Sequence, residues 1–257
     1  MIGKYHLLTL EPNIDTTPGT THGGTDIVFG WQAVEIPRGA CMIKTISATV
    51  VGLNGAADNT FDMQLYYARS IDGVAPTTFG TENAVTATTT TVDFRRNILG
   101  FTHIDASSID DADVLRAYNV FGSRSASGGD SVADGGYNSN VILQGDLAYP
   151  STKGYQTIWI AGAGRGAFDF GTDVALNMGG NQAASTAAVQ ITTDGTDPRI
   201  VFGPGDQVIG DTGGPTMEVV SADSATTMTV KTVSEQIDDD EELVHRNPMK
   251  FMIGLEY

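Results

Sequence analysis

Phe61 to Ala68 reads FDMQLYYA, with Phe61, Met63, Leu65 and Tyr67 alternating against Asp62, Gln64 and Tyr66. A strict two-residue period suits a pleated strand with one face on a core and cannot line up on a helix of 3.6 residues per turn. Related patterns recur along the chain. Asp26 to Ile36 and Cys41 to Leu53 are joined by the turn-like Pro37-Arg38-Gly39-Ala40, and Tyr155 to Ala161 is rich in aromatic and β-branched residues. Met249 to Tyr257 again sets apolar groups at alternate positions, as a strand docked in a sheet would. With 31 glycines in 257 residues and 40% hydrophobic content, the chain is expected to be all-β with a true core. The expected architecture is an antiparallel β-sandwich, jelly-roll-like in outline.

Two segments break the pattern. Ser108 to Tyr118 offers a Ser108 N-cap, Asp110, Asp111 and Asp113 near the positive end of a helix dipole, and a late Arg116. These signals predict a short helix. Ser123 to Asn140 is Gly, Ser, Asp and Asn with little apolar content, which predicts a long surface loop. Residues 186–246 differ from what precedes them: short β runs are spaced by Gly203-Pro204-Gly205-Asp206, Asp211-Thr212-Gly213-Gly214 and Ala222-Asp223-Ser224-Ala225. That spacing predicts a small β-barrel or hairpin module. Because 249–257 reads as a strand of the main sheet, the module is expected to be inserted. The organisation is then an N-terminal arm (1–15), a sandwich (16–185 plus 247–257) and the insert (186–246). In the arm, Tyr5, Leu7, Leu8, Leu10, Pro12 and Ile14 are the candidate partner contacts, an apolar stretch closed by a proline and short of internal partners.

Composition limits the function. Lys+Arg number 14 against 31 Asp+Glu, a net charge of −17. Only five residues are lysine, so there is no basic surface to neutralise phosphates and direct nucleic-acid binding is disfavoured. One cysteine, Cys41, excludes an internal disulfide framework and a Cys-based zinc cluster. No apolar stretch approaches the ~20 residues needed to span a bilayer. Met1–Glu11 lacks the apolar segment of ~7–15 residues and the cleavage site of a secretory signal, so the chain is expected to fold where it is made.

Motifs that carry chemistry elsewhere read as structure here. Gly162-Ala163-Gly164-Arg165-Gly166-Ala167 follows a strand, but the aromatic and acidic continuation offers no helix whose N-terminus could hold a pyrophosphate. Gly129-Asp130-Ser131-Val132 resembles the nucleophile block of GDS-type esterases, yet it lies in a polar mid-chain loop without a positioned base. His6, His22, His103 and His245 are scattered, with no metal-ligand spacing. The acidic block 238–242 lacks the EF-hand pattern and reads as a solvated turn beside an edge strand. Loose calcium binding there, or by Asp194 with Asp197, is the alternative. Trp31 and Trp159 lie in the strongest strands and read as packing anchors, although an exposed pair of aromatics would also suit a carbohydrate binder.

Four stretches carry a resemblance: YHLLTLEPNIDTTP, GTDIVFGWQAVEIPRGACMIKTISATVV, IWIAGAGRGAF and MKFMIGLEY. Together they are similar to virion structural proteins of tailed bacteriophages, most of all to capsid decoration (cement) proteins with a β-sandwich body. The resemblance covers residues 1–185 and 247–257, and the intervening segment resembles small β-barrel insertions on such proteins. It implies a homotrimer on the outer capsid surface that bridges subunits of the major capsid protein, made in the host cytoplasm. It implies no enzymatic activity, no catalytic residue, no cofactor and no metal, and no membrane or nucleic-acid partner. Many decoration proteins are shorter, so the alternative is a head-fibre or tail-associated protein binding host glycans. A third reading, a hydrolase with two carboxylates in a sandwich cleft, needs paired acids that the sequence does not single out.

Overall fold

The computed structural model describes residues 3–14, 20–52, 62–84, 95–104, 109–111, 116–121, 141–170, 176–210 and 214–257. The protein is all-β, and among the described residues all paired strands run antiparallel. One sheet has the order β1 (Tyr5–Leu10), β16 (Met249–Glu256), β3 (Cys41–Val50), β7 (Arg116–Phe121) and β6 (Ile109–Asp111), with β8 (Ile142–Leu143) also paired to β3. The second has the order β2 (Ile27–Pro37), β9 (Tyr155–Gly164), β4 (Met63–Ala68) and β5 (Ile98–Ile104).

These two sheets share one core, which makes them a sandwich. The alternation read from sequence chooses the inward residues of β4 and β16, where Met63, Leu65 and Tyr67 and then Phe251 and Ile253 are fully buried. On β3 a register shift between Thr45 and Ile43 changes the phase, so Ile43 and Ile46 are both buried. Phe29 from one sheet and Phe251 from the other meet with ring centroids 5.8 Å apart. The other face of the second sheet carries a smaller aromatic layer, in which Phe79 covers Ile27, Ala161 and Ala163 beside Trp31 and Tyr66. Gly162 in β9 has a physical cause: a Cβ there would collide with the Phe29 ring and the Met63 methyl.

Tyr67 is wholly buried, and burial pushes its phenol up from the ordinary value. Its hydroxyl lies by Thr102, and neither hydroxyl makes a hydrogen bond among the described residues. A buried hydroxyl without a partner carries its desolvation cost uncompensated, so replacing it by an apolar group of the same shape is neutral or stabilising. The double variant Tyr67→Phe/Thr102→Val is therefore expected to unfold within ~1 kcal/mol of wild type and to be more stable than Tyr67→Phe alone. Chemical denaturation checks this; a double variant less stable than either single one would contradict it.

A third sheet curls into a half-barrel with the order β10 (Leu176–Met178), β11 (Val189–Gly195), β14 (Thr227–Val230), β13 (Met217–Ser224), β12 (Gln207–Gly210) and β15 (Leu243–His245). Its edges are bridged: Met178 N–H donates to the Glu241 carbonyl at 2.8 Å, and Asp240 N–H to the Met178 carbonyl at 3.0 Å. It has its own core around Met178, Ile191, Val208, Met217, Val219 and Met228. The sheet starts at Leu176, ten residues before the boundary that the turn pattern suggests, because β10 pairs with β11. A helical turn, Pro198–Val201, capped by Asp197, joins β11 to β12. After β15 the chain enters β16, which lies between β1 and β3.

Two expectations need correction. Ser108 to Tyr118 holds no helix among its described residues: β6 and β7 pair with each other, and Thr45 to Val50 of β3 pairs with Phe121 to Arg116 of β7. A helix of about three turns is marginal alone, and a cap contributes only ~1 kcal/mol, so the ladder offered by β3 wins. The stretch 1–15 is also not an arm short of partners, since β1 pairs along its whole length with β16. The loop expected over 123–140 lies outside the described residues.

Candidate functional site

β1 lies at the rim of its sheet, paired with β16 on one side only among the described residues. Its hydrogen-bond parity follows from the flanking pair. Lys4 N–H donates to the Tyr257 carbonyl at 3.2 Å, and Tyr257 N–H to the Lys4 carbonyl at 3.0 Å. In an antiparallel ladder such mutual pairs recur every second residue. The register Tyr5↔Glu256 to Leu10↔Phe251 has no bulge, so His6, Leu8 and Leu10 bond to β16. Tyr5, Leu7 and Thr9 point their N–H and C=O groups away from it.

The side chains divide by the same parity. Leu8 and Leu10 are buried in the sandwich core, while Tyr5 (73% exposed), Leu7 (63%) and Thr9 stand on the outer face. Pro12 and Ile14 are buried, and the Ile14 carbonyl accepts from the Arg246 guanidinium. Of the six candidate contacts, then, the fold presents Tyr5 and Leu7 to a partner and commits Leu8, Leu10, Pro12 and Ile14 to the interior.

The charge around this edge differs from that of the whole chain. β1 itself, YHLLTL, has no acidic, lysine or arginine residue. Lys250 Nζ lies 2.6 Å from Glu11 Oε1, and Lys44 Nζ lies 2.7 Å from Glu256 Oε2. With Lys4, three of the five lysines gather around β1 and balance two glutamates in a chain of net charge −17. Exposed edges are commonly protected by lysine within the strand, by proline or by a bulge. β1 has none of these. The arrangement can accept another strand through backbone hydrogen bonds, with Tyr5 and Leu7 adding apolar contact.

The remaining candidates lie apart from this edge. Asp62 and His103 meet side chain to side chain on the second sheet, His103 Nε2 against Asp62 Oδ1, with the imidazole buried. The sequence held no signal for this pair, because 41 residues separate the two and neither sits in a motif. His22 stacks on Phe168 at 5.2 Å. His6 meets Tyr155 edge-on. His245 bonds the Val201 carbonyl through Nε2 at 2.9 Å, with Nδ1 4.0 Å from Asp206; burial pulls its pKa down, against the pull of that carboxylate.

Asp197 is engaged by Arg199, which holds its carboxyl below the usual range. The acidic stretch 238–242 forms the turn that closes the half-barrel seam, with Asp239 N–H on Asn181 Oδ1 at 2.7 Å. No cluster of three or more His, Cys, Asp and Glu suited to a metal occurs among the described residues. Gly162 and Gly164 belong to β9 itself, and Ser131 lies outside the described residues. Trp31 donates its ring N–H to the Thr77 carbonyl at 2.8 Å, and Trp159 donates to Ser70 Oγ at 3.1 Å. No protein-family model matches the chain, and no curated protein matches it closely enough to count as a relative.

Proposed function

We propose that the chain is a structural virion protein that decorates and stabilises the capsid of a tailed bacteriophage. On this reading it sits on the outer capsid surface, bridges subunits of the major capsid protein and associates with copies of itself, as a homotrimer at three-fold positions. Support comes from the sequence resemblance and from the sandwich body. The observation that carries the reading is the β1 edge, open among the described residues, uncharged, unbulged, and flanked by exposed Tyr5 and Leu7. Such an edge suits a protein that acts by joining other proteins, because strand addition supplies affinity through main-chain bonds. The excess of negative charge keeps separate copies soluble before assembly. The glycan-binding reading has less support, since the Trp31 ring packs on Phe79 and the Trp159 ring on Tyr149, so both serve as packing anchors.

Mass spectrometry of purified phage particles tests the proposal. The chain is expected at a fixed ratio to the major capsid protein, and shells lacking it are expected to break at a lower temperature. Particles that contain no copy, or that break at the same temperature without it, would overturn the reading.

A further inference from the structure

We propose that the β1 edge is a two-fold joint between copies of this chain, with Leu7 on the axis. The inference deepens the contact reading above by naming which partner takes this edge.

Tyr5, Leu7 and Thr9 offer their backbone groups outward. Two β1 strands laid antiparallel about Leu7 place Leu7 opposite the partner subunit's Leu7 and Tyr5 opposite the partner subunit's Thr9. All these residues have outward N–H and C=O groups, so each facing pair exchanges two hydrogen bonds. The side chains follow the same symmetry. The exposed Leu7 groups meet each other on the outer face, and Tyr5 covers the small Thr9 of the other copy, the kind of cross-strand pair that stabilises a sheet. Beside Leu7 on β16 stands Gly254, over which the Thr45 side chain of β3 lies, so β16 itself places no side chain against Leu7.

Charge selects the occupant. Two bodies of net charge −17 repel each other over most approaches. Around β1 the charges are instead balanced, with Glu11 and Glu256 matched by Lys250 and Lys44 and with Lys4 alongside. A second copy therefore approaches here with little repulsion. A strongly basic segment, the partner an acidic surface would otherwise recruit, gains no advantage at this edge. An isologous contact of this kind closes on itself. Between trimers, it would tie neighbouring positions into a net.

Two sets of variants test the joint, both in the full chain. Leu7→Pro removes an N–H that β16 does not use, and proline is tolerated at an edge when its nitrogen faces outward. Circular dichroism and Tm should stay near wild type, while light scattering should show the assembly mass halved and self-association weakened about tenfold or more. Leu7→Lys places like charges face to face and should act the same way without touching the backbone. For the register, Leu7→Cys should crosslink to its own copy under mild oxidation, because facing hydrogen-bonded residues lie ~5.5 Å apart, within disulfide reach. Thr9→Cys, which faces Tyr5 of the other copy, should not, and Cys41 is buried and leaves the background clean.

A wild-type chain whose mass does not change with Leu7→Pro, or a Thr9→Cys that crosslinks as well as Leu7→Cys, would overturn the joint. Loss of the Leu7→Pro variant from particles without any change in self-association would also overturn it, assign the edge to a strand of another protein, and leave the decoration reading in place. Crosslinking at Leu7 in a chain absent from particles would keep the joint and remove that reading.

Discussion

Phe251→Ala is expected to destabilise the sandwich by about 3–5 kcal/mol, the usual cost of removing a buried aromatic ring. Phe251 is fully buried on β16, the strand between β1 and β3, and its ring reaches across to Phe29 of the facing sheet. The loss combines transfer free energy with a cavity that neither sheet can readily close, because each is held in place by its own ladder. At about 2–4 °C per kcal/mol for a chain of this size, the melting temperature should fall on the order of 10 °C. Phe251→Leu, which keeps most of the volume, should lose far less. The half-barrel has a separate core, so its own unfolding signal should shift less than that of the sandwich. Thermal unfolding followed by near-ultraviolet circular dichroism makes the comparison. A loss below ~1 kcal/mol would mean that the two sheets do not bury each other at Phe251.

Much of this fold could be read from alternation. FDMQLYYA placed Met63, Leu65 and Tyr67 on the core face because side-chain direction in a strand has a period of two, and that rule needs no tertiary information. YQTIWIA and MKFMIGLEY became β9 and β16 for the same reason. Pairing partners were not legible. β1 meets β16 across almost the whole chain, and nothing local in YHLLTL says which strand will lie beside it. Nor could the sequence separate the members of the apolar stretch into exposed Tyr5 and Leu7 and buried Leu8 and Leu10 until the face was known. Ser108 to Tyr118 failed for the opposite reason. Its caps and acidic first turn are genuine local signals, but they are weak beside a six-residue ladder on β3.

The candidate site was half visible. The stretch Tyr5–Ile14 stood out as apolar and bounded by proline, and it holds the strand at the rim of its sheet. Its chemistry lies in the backbone, where Tyr5, Leu7 and Thr9 turn their polar groups outward, and that follows only from the register with β16. Charge balance around the edge was equally hidden. Lys44, Lys250, Glu11 and Glu256 are dispersed in sequence and converge only when β1, β16 and β3 align.

Acidification from pH 7.5 to 5.0 is expected to loosen the half-barrel through His245. The residue lies on β15, where Leu243 belongs to the half-barrel core and Val244 to the sandwich core. Its ring packs on Phe202 and bonds the Val201 carbonyl, so it ties the helical turn to the strand that joins the two cores. Burial lowers its pKa below the ordinary ~6.5, and the nearby Asp206 carboxylate only partly opposes this. Between the folded and unfolded pKa values the unfolded chain binds more protons, so stability rises with pH. The contribution is fully present above the unfolded value and is lost as pH falls through and below it. Asp197 and Asp223, whose carboxyls are held below their usual range, stay ionised down to pH 5 and add no slope there. The wild-type Tm should therefore drop between pH 7.5 and 5.0, while His245→Gln, which can keep the bond to Val201 without gaining a charge, should show a clearly flatter profile. Equal slopes in the two proteins would remove His245 as the source, since the variant differs at no other titrating group.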